Sequence, residues 1–200
     1  KQIISLIPEP LILPKLIEET EVISDNTCLI DVWYGQTTVT ILRKNEIIWF
    51  ETFTYGTEIL MELIEDFYPE YSLLQIENIL CTPSEFQWWI YKECLDEFLE
   101  YIRDAIFGYL QSEDIDLKFQ YLILHGNIFE NSTIFHNFSQ LIESTFWYEI
   151  KRKRLYELLN KEIRHNQCTV YGLSLMAKEL LLVKKDPLVR ILRYVLYQYE

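Results

Sequence analysis

The chain has 200 residues, half of them hydrophobic and 15% aromatic, which is enough for one sizeable core and excludes a disordered segment. The net charge is −13 and unevenly spread: residues 1–150 hold 7 Lys and Arg against 26 Asp and Glu (net −19), and residues 151–200 hold 11 against 5 (net +6). So acidic a body repels phosphate backbones, which excludes general nucleic-acid binding, while the basic end can meet an acidic partner or an anionic membrane.

In chain order, Ile3–Ile7 is a short apolar run closed by Pro8-Glu9-Pro10 and reads as a strand. Leu11–Glu19 reads as a helix despite Pro14. Cys28–Tyr34, Thr37–Leu42 and Ile47–Phe53 then form three strand-like runs, with Arg43-Lys44-Asn45-Glu46 as the break between the last two. Asp31 sits inside the first run. An unpaired buried charge is expensive, so its carboxylate needs a metal-bound water, a phosphate site or a hydrogen-bonded structural role.

After Tyr55-Gly56-Thr57 the spacing turns helical, with Ile59, Leu60, Leu63, Ile64 and Phe67 on one face up to Pro69. Ser72–Leu80 reads as a second, short helix with Leu73, Ile76, Ile79 and Leu80 inward. Thr82-Pro83-Ser84-Glu85 is a helix start of the capping-box type, with proline in the first turn. The helix it opens runs to about Gln111 and buries Tyr91, Cys94, Leu95, Phe98, Leu99, Ile102, Ile106 and Leu110. Phe119–Leu124 has strand length and is followed by His125-Gly126-Asn127. Ile134–Ser144 reads as a helix, Thr145–Ile150 as a short strand, and Lys151–Asn160 as a helix that opens on four basic residues. Val170–Leu182 looks helical, and Asp186-Pro187 opens a last helix to Tyr199. Strands followed by helices, then a lone strand ending in a glycine turn, predict an α/β fold whose mixed five-stranded sheet carries an antiparallel meander and flanking helices.

The four cysteines form no CxxC pair and the three histidines show no zinc spacing, so a reducing, intracellular setting without disulfides or metal is expected. No apolar run reaches the roughly 18 residues of a membrane span, and no signal peptide is visible. The chain opens on Lys rather than Met, which points to a piece of a longer protein.

The order of these motifs over residues 3–176 resembles the second half of an actin-like ATPase, a ribonuclease H-like fold shared by actin and sugar kinases. Within that family it is most similar to the FtsA-type cell-division and PilM-type pilus-assembly proteins. The family's phosphate turn is matched by Asp31-Val32-Trp33-Tyr34-Gly35-Gln36-Thr37-Thr38. Its nucleoside-side helix is matched by Ile76-Glu77-Asn78-Ile79-Leu80, its long helix by Pro83–Gln111, and its adenosine-side glycines by Ile123-Leu124-His125-Gly126-Asn127. Its closing helix is matched by Tyr171-Gly172-Leu173-Ser174-Leu175.

The chain departs from that pattern at four places. Trp33 stands where the first glycine should be, Gln36 replaces a hydroxyl-bearing residue, Leu80 replaces a lysine, and Gly126 is alone where two or three glycines are expected. Phosphate turns need glycines because the backbone must approach the anion closely.

The resemblance therefore implies a domain over 1–176 with a degenerate cleft, followed by an amphipathic extension over 177–200. The nucleotide-binding candidates are Asp31, Gly35, Gln36, Thr37, Glu77, Gly126 and Asn127, with no cofactor expected for these residues and ATP with Mg²⁺ reserved for the full-length protein. The implied role is a non-catalytic, cytoplasmic scaffold at the inner face of the plasma membrane, serving a type IV pilus or division machine through protein contacts, homo-oligomerisation among them. The alternative is the nucleotide-binding half of an active actin-like ATPase or sugar kinase, with Asp31 placing Mg²⁺.

Three further features stand apart from the cleft. Trp88-Trp89 must turn one indole away from the core, towards a partner or the solvent. Lys151, Arg152, Lys153 and Arg154 are a candidate acidic-partner or lipid site, or a solvated helix start. In the last helix Leu188, Ile191, Leu192, Val195 and Tyr199 share a stripe with Arg190 and Arg193 off it, a pattern for membrane docking or for packing on the domain or a dimer.

Overall fold

The computed structural model describes residues 12–18, 26–44, 46–76, 88–112, 119–146, 150–159 and 167–182. In order these form α1 (Ile12–Glu18), β1 (Thr27–Val32), β2 (Thr37–Arg43), β3 (Glu46–Phe53), α2 (Thr57–Phe67), α3 (Trp88–Ser112), β4 (Tyr121–His125), α4 (Ser132–Phe146), β5 (Lys151–Arg154), α5 (Leu155–Leu158) and α6 (Cys168–Leu182). A 3₁₀ turn over Asn127–Glu130 joins β4 to α4, and residues 73–76 form one helical turn. The expected strand Ile3–Ile7, Glu77 and the whole of 184–200 lie outside the described residues.

The sheet has five strands in the order β3-β2-β1-β4-β5. β1, β2 and β3 form the antiparallel meander, while β4 runs parallel to β1 and β5 parallel to β4. β1 is buried at every position because it lies mid-sheet with a helical layer on each face. Cys28, Ile30 and Val32 face one core with Val39, Ile41, Leu122 and Leu124, under α2, α3 and α4. Leu29 faces the other with Leu42 and Ile123, under α1, α5 and α6.

The stripe predicted for α3 is buried through Tyr91, Cys94, Leu95, Phe98, Leu99 and Ile102. α4 buries Ile134, Phe138 and Ile142 at helical spacing, and Asn131 caps it by accepting from the Thr133 and Ile134 N–H groups. α6 spans Cys168–Leu182 and so includes residues 176 and 177.

The structure corrects four readings. Lys151–Arg154 is an edge strand, not the start of a helix, and the strand expected at Thr145–Ile150 is displaced: α4 extends to Phe146 and pairing begins at Lys151. Charged residues conceal a strand from hydropathy patterns, yet arginine stems cover apolar surface and charges suit an edge. Phe67 is exposed rather than inward, because Tyr68 fills the core position at the end of α2. Leu73 is 62% exposed and only Ile76 of that turn is buried.

Cys28, Cys94 and Cys168 are buried and in no disulfide. Burial pushes the Cys28 thiol up to about 12 and Cys94 up to about 11. Because only the thiolate attacks, neither should react with an aromatic disulfide reagent at about pH 8 in the native protein, and both should react on unfolding. Peptide mapping that found either one labelled natively at the rate of a free thiol would contradict this packing.

Candidate functional site

β1 and β4 are parallel neighbours that end together, with Asp31 opposite His125. In open α/β sheets the carboxyl ends of such strands are where ligands sit. Asp31 and His125 share the sheet face that carries Leu29 and Ile123, and Asp31 lies opposite Thr38, which lies opposite Thr52. A polar row therefore crosses four strands at this end of the sheet. The Thr38 and Thr52 hydroxyls meet at 3.1 Å.

The Asp31 carboxylate is buried and both its oxygens are engaged. Oδ2 accepts the indole Nε1–H of Trp33 at 2.6 Å. Oδ1 lies 2.7 Å from Nδ1 of His125, which is buried too. A carboxylate oxygen accepts, so Nδ1 carries the proton in this arrangement. The Trp33 and His125 rings stand 6.0 Å apart. The hydrogen-bond partners of the buried Asp31 are two side chains, in place of backbone N–H groups.

The turn from β1 to β2 is closed on itself and on α2. The Trp33 backbone N–H donates to the Gln36 carbonyl at 2.8 Å. The Trp33 and Tyr34 carbonyls accept from the Thr57 and Glu58 N–H groups at 2.9 and 2.8 Å. Those two N–H groups open α2 and would otherwise be an anion site. Gly56 makes this contact possible, since a Cβ there would lie 2.2 Å from the Tyr34 carbonyl oxygen. The Thr37 hydroxyl, buried, donates to the Tyr55 carbonyl. Gly35 is exposed, but a Cβ built on it would lie 3.7 Å from a Glu58 carboxylate oxygen. Across the strand ends Gly126 has φ of +118° and packs on Val32, and Asn127 is exposed.

The structure thus brings Asp31, Gly35, Gln36, Thr37, Gly126 and Asn127 to one end of the sheet. The carboxylate is engaged by two protein donors, the threonine hydroxyl and two leading N–H groups of α2 are engaged by backbone, and the Glu58 carboxylate stands beside Gly35. Among the described residues no group of three His, Cys, Asp or Glu side chains comes together for a metal.

Gly56 and Glu58 are not singled out by the sequence, and His125, which beside Gly126 reads either as a base or as an exposed or structural histidine, is here the buried partner of Asp31. That pairing could have been found from register alone, because each of two paired parallel strands ends an apolar run on a polar residue. Gly56 and Glu58 carry no sequence signal beyond a helix start.

The basic strand is largely tied into its own domain. Arg154 donates from Nε to the Phe129 carbonyl at 2.7 Å and from Nη1 to Glu157 at 2.9 Å, and it stacks 4.3 Å from the Phe135 ring centroid. Arg152 pairs with Glu143 at 3.3 Å, Lys151 lies over the Tyr121 ring, and Lys153 is exposed. Trp88 is the first described residue of α3, while Arg190 and Arg193 lie outside the described residues. Among the described residues no helix is long and apolar enough to cross a membrane.

The sheet order, the meander and the parallel return define the class: this is the actin-like ATPase fold, of ribonuclease H-like architecture. The chain is similar to the solved PilM–PilN type IV pilus biogenesis complex (TM-score 0.61, 16% identity, 84% of this chain and 48% of that one). It is similar also to Ta0583, an archaeal actin homolog (TM-score 0.63, 14% identity, 86% and 55%), and to MreB 5 of Spiroplasma citri bound to AMPPNP (TM-score 0.58, 11% identity, 85% and 58%). It spans about half the length of these chains. No protein-family model and no curated protein matches the sequence.

Proposed function

We propose that this chain is the second half of an actin-like protein whose cleft has become structural, and that it serves as a non-catalytic scaffold through protein contacts. The observation that carries this reading is the engagement of both Asp31 oxygens by Trp33 and His125. In this reading Trp33 takes the place of a phosphate-turn glycine and supplies a donor where a Mg²⁺-bound water would be. The likeness to a pilus biogenesis complex supports a protein partner in a membrane-associated bacterial machine, a type IV pilus or a division apparatus, at the inner face of the membrane. The second reading, a nucleotide-binding half of an active ATPase or sugar kinase, draws on the retained Gly126 turn and on AMPPNP bound to MreB 5 in the same fold.

Calorimetric titration with Mg-ATP separates the two. The scaffold reading expects no saturable heat up to about 1 mM nucleotide, a binding free energy weaker than roughly −4 kcal/mol, and no phosphate release above the blank. Micromolar binding that Asp31→Ala abolishes would establish the nucleotide reading instead.

A further inference from the structure

Between Lys44 and Lys92 the chain carries nine Asp and Glu and no Lys, Arg or His. The fold turns part of this stretch into apolar surface set in acid. Ile48, Phe50, Tyr55, Phe67, Leu73 and Leu74 are all exposed. The densest part lies at the end of α2, where Phe67 (46% exposed), Leu73 (62%) and Leu74 (67%) stand among exposed Glu65, Asp66 and Glu70. Between them in sequence, buried Tyr68 and partly buried Tyr71 stack at 4.7 Å and anchor this stretch to the core. Two adjacent leucines this exposed, six residues along the chain from a third exposed large apolar side chain, mark a docking surface rather than scattered exposure.

The surface defines its occupant: an apolar stripe flanked by positive charge, since rim charges of opposite sign steer association and fix register. The chain itself holds one segment of that chemistry. In residues 184–200, Leu188, Ile191, Leu192, Val195 and Tyr199 recur at helical spacing, with Lys184, Lys185, Arg190 and Arg193 off the stripe. α6, which leads towards this segment, packs on α1 over the sheet face opposite α2. The last described element before this segment thus packs on the far side of the sheet from the patch, which favours a seat on another molecule.

We propose that residues 184–200 of one copy dock on the acidic apolar surface around Phe67, Leu73 and Leu74 of a second copy. The contact is reciprocal, so two such seats close a dimer. It stands apart from the cleft and holds whether or not nucleotide binds there.

Sedimentation equilibrium of the full chain in about 0.1 M salt tests it. The wild type should dimerise with a Kd in the range of roughly 1–100 µM. Glu65→Lys, Asp66→Lys and Glu70→Lys together should weaken dimerisation about tenfold or more, as should Arg190→Glu with Arg193→Glu. Combining the two sets should restore the Kd to within about threefold of wild type, because the charges then match again with reversed sign. Leu73→Ser with Leu74→Ser should abolish dimerisation, and these exposed positions leave the fold intact. A wild type still monomeric at about 500 µM, well above the expected Kd range, would overturn the proposal. A dimer indifferent to either charge set, or one not rescued by combining them, would do the same. A monomer whose 184–200 segment instead co-sediments with vesicles of phosphatidylcholine and phosphatidylglycerol would assign that segment to a membrane.

Discussion

Gly126→Ala should lower the free energy of unfolding by about 3 kcal/mol or more. Gly126 has φ of +118° and ψ of 154°, a conformation reserved for glycine. A methyl group there would also lie 2.2 Å from the carbonyl oxygen of Val32 and 3.1 Å from its carbon, and both are backbone atoms with no rotamer to change. Either the β4 turn lifts off β1 or β1 bends. Both responses separate the strand ends that hold Asp31 against His125. The measurement is denaturant unfolding of wild type and variant. A loss below about 1 kcal/mol would mean that the strand ends do not approach as described.

Asp31→Ala should cost about 3 kcal/mol, and Asp31→Asn about half as much. Removing the carboxylate leaves the His125 Nδ1–H and the Trp33 Nε1–H without the acceptors that now hold them. A buried donor that loses its acceptor costs the desolvation of that group, so the penalty exceeds the net worth of the two bonds. Asparagine keeps one acceptor oxygen and the same shape, and should therefore restore the Trp33 or the His125 contact but not both. Thermal or denaturant unfolding of the two variants is the check. If alanine proved no worse than asparagine, the carboxylate would not be the centre of the row.

The fold was legible where burial on both faces left an apolar trace. β1, β2 and β4 announce themselves because each must satisfy two cores, and the α3 stripe because one helical face must satisfy one. β5 was not legible: Arg152 and Arg154 use their stems and guanidinium groups against Glu143, Phe129 and Phe135, and these contacts exist only after α4 has folded over the sheet. Phe67 and Leu73 misled for the opposite reason, since helical spacing tells which residues share a face but not where that face leaves the core.

At the site, the meeting of Asp31 and Gly126 at neighbouring strand ends followed from motif order. Trp33 was read only by its bulk. Its indole N–H could not be assigned to Asp31 without the turn that Gln36, Thr57 and Glu58 hold closed. His125 needed the register of two strands 94 residues apart.

The indole resonance of Trp33 reports most directly on whether its carboxylate partner is held by protein or released for a metal-bound nucleotide. In a ¹H–¹⁵N spectrum, with the signal assigned by its loss in Trp33→Phe, the Nε1–H should be protected from solvent exchange and should not move on addition of about 5 mM Mg-ATP. A signal that exchanges freely, or that shifts and saturates with Mg-ATP, would show that Asp31 is open to nucleotide.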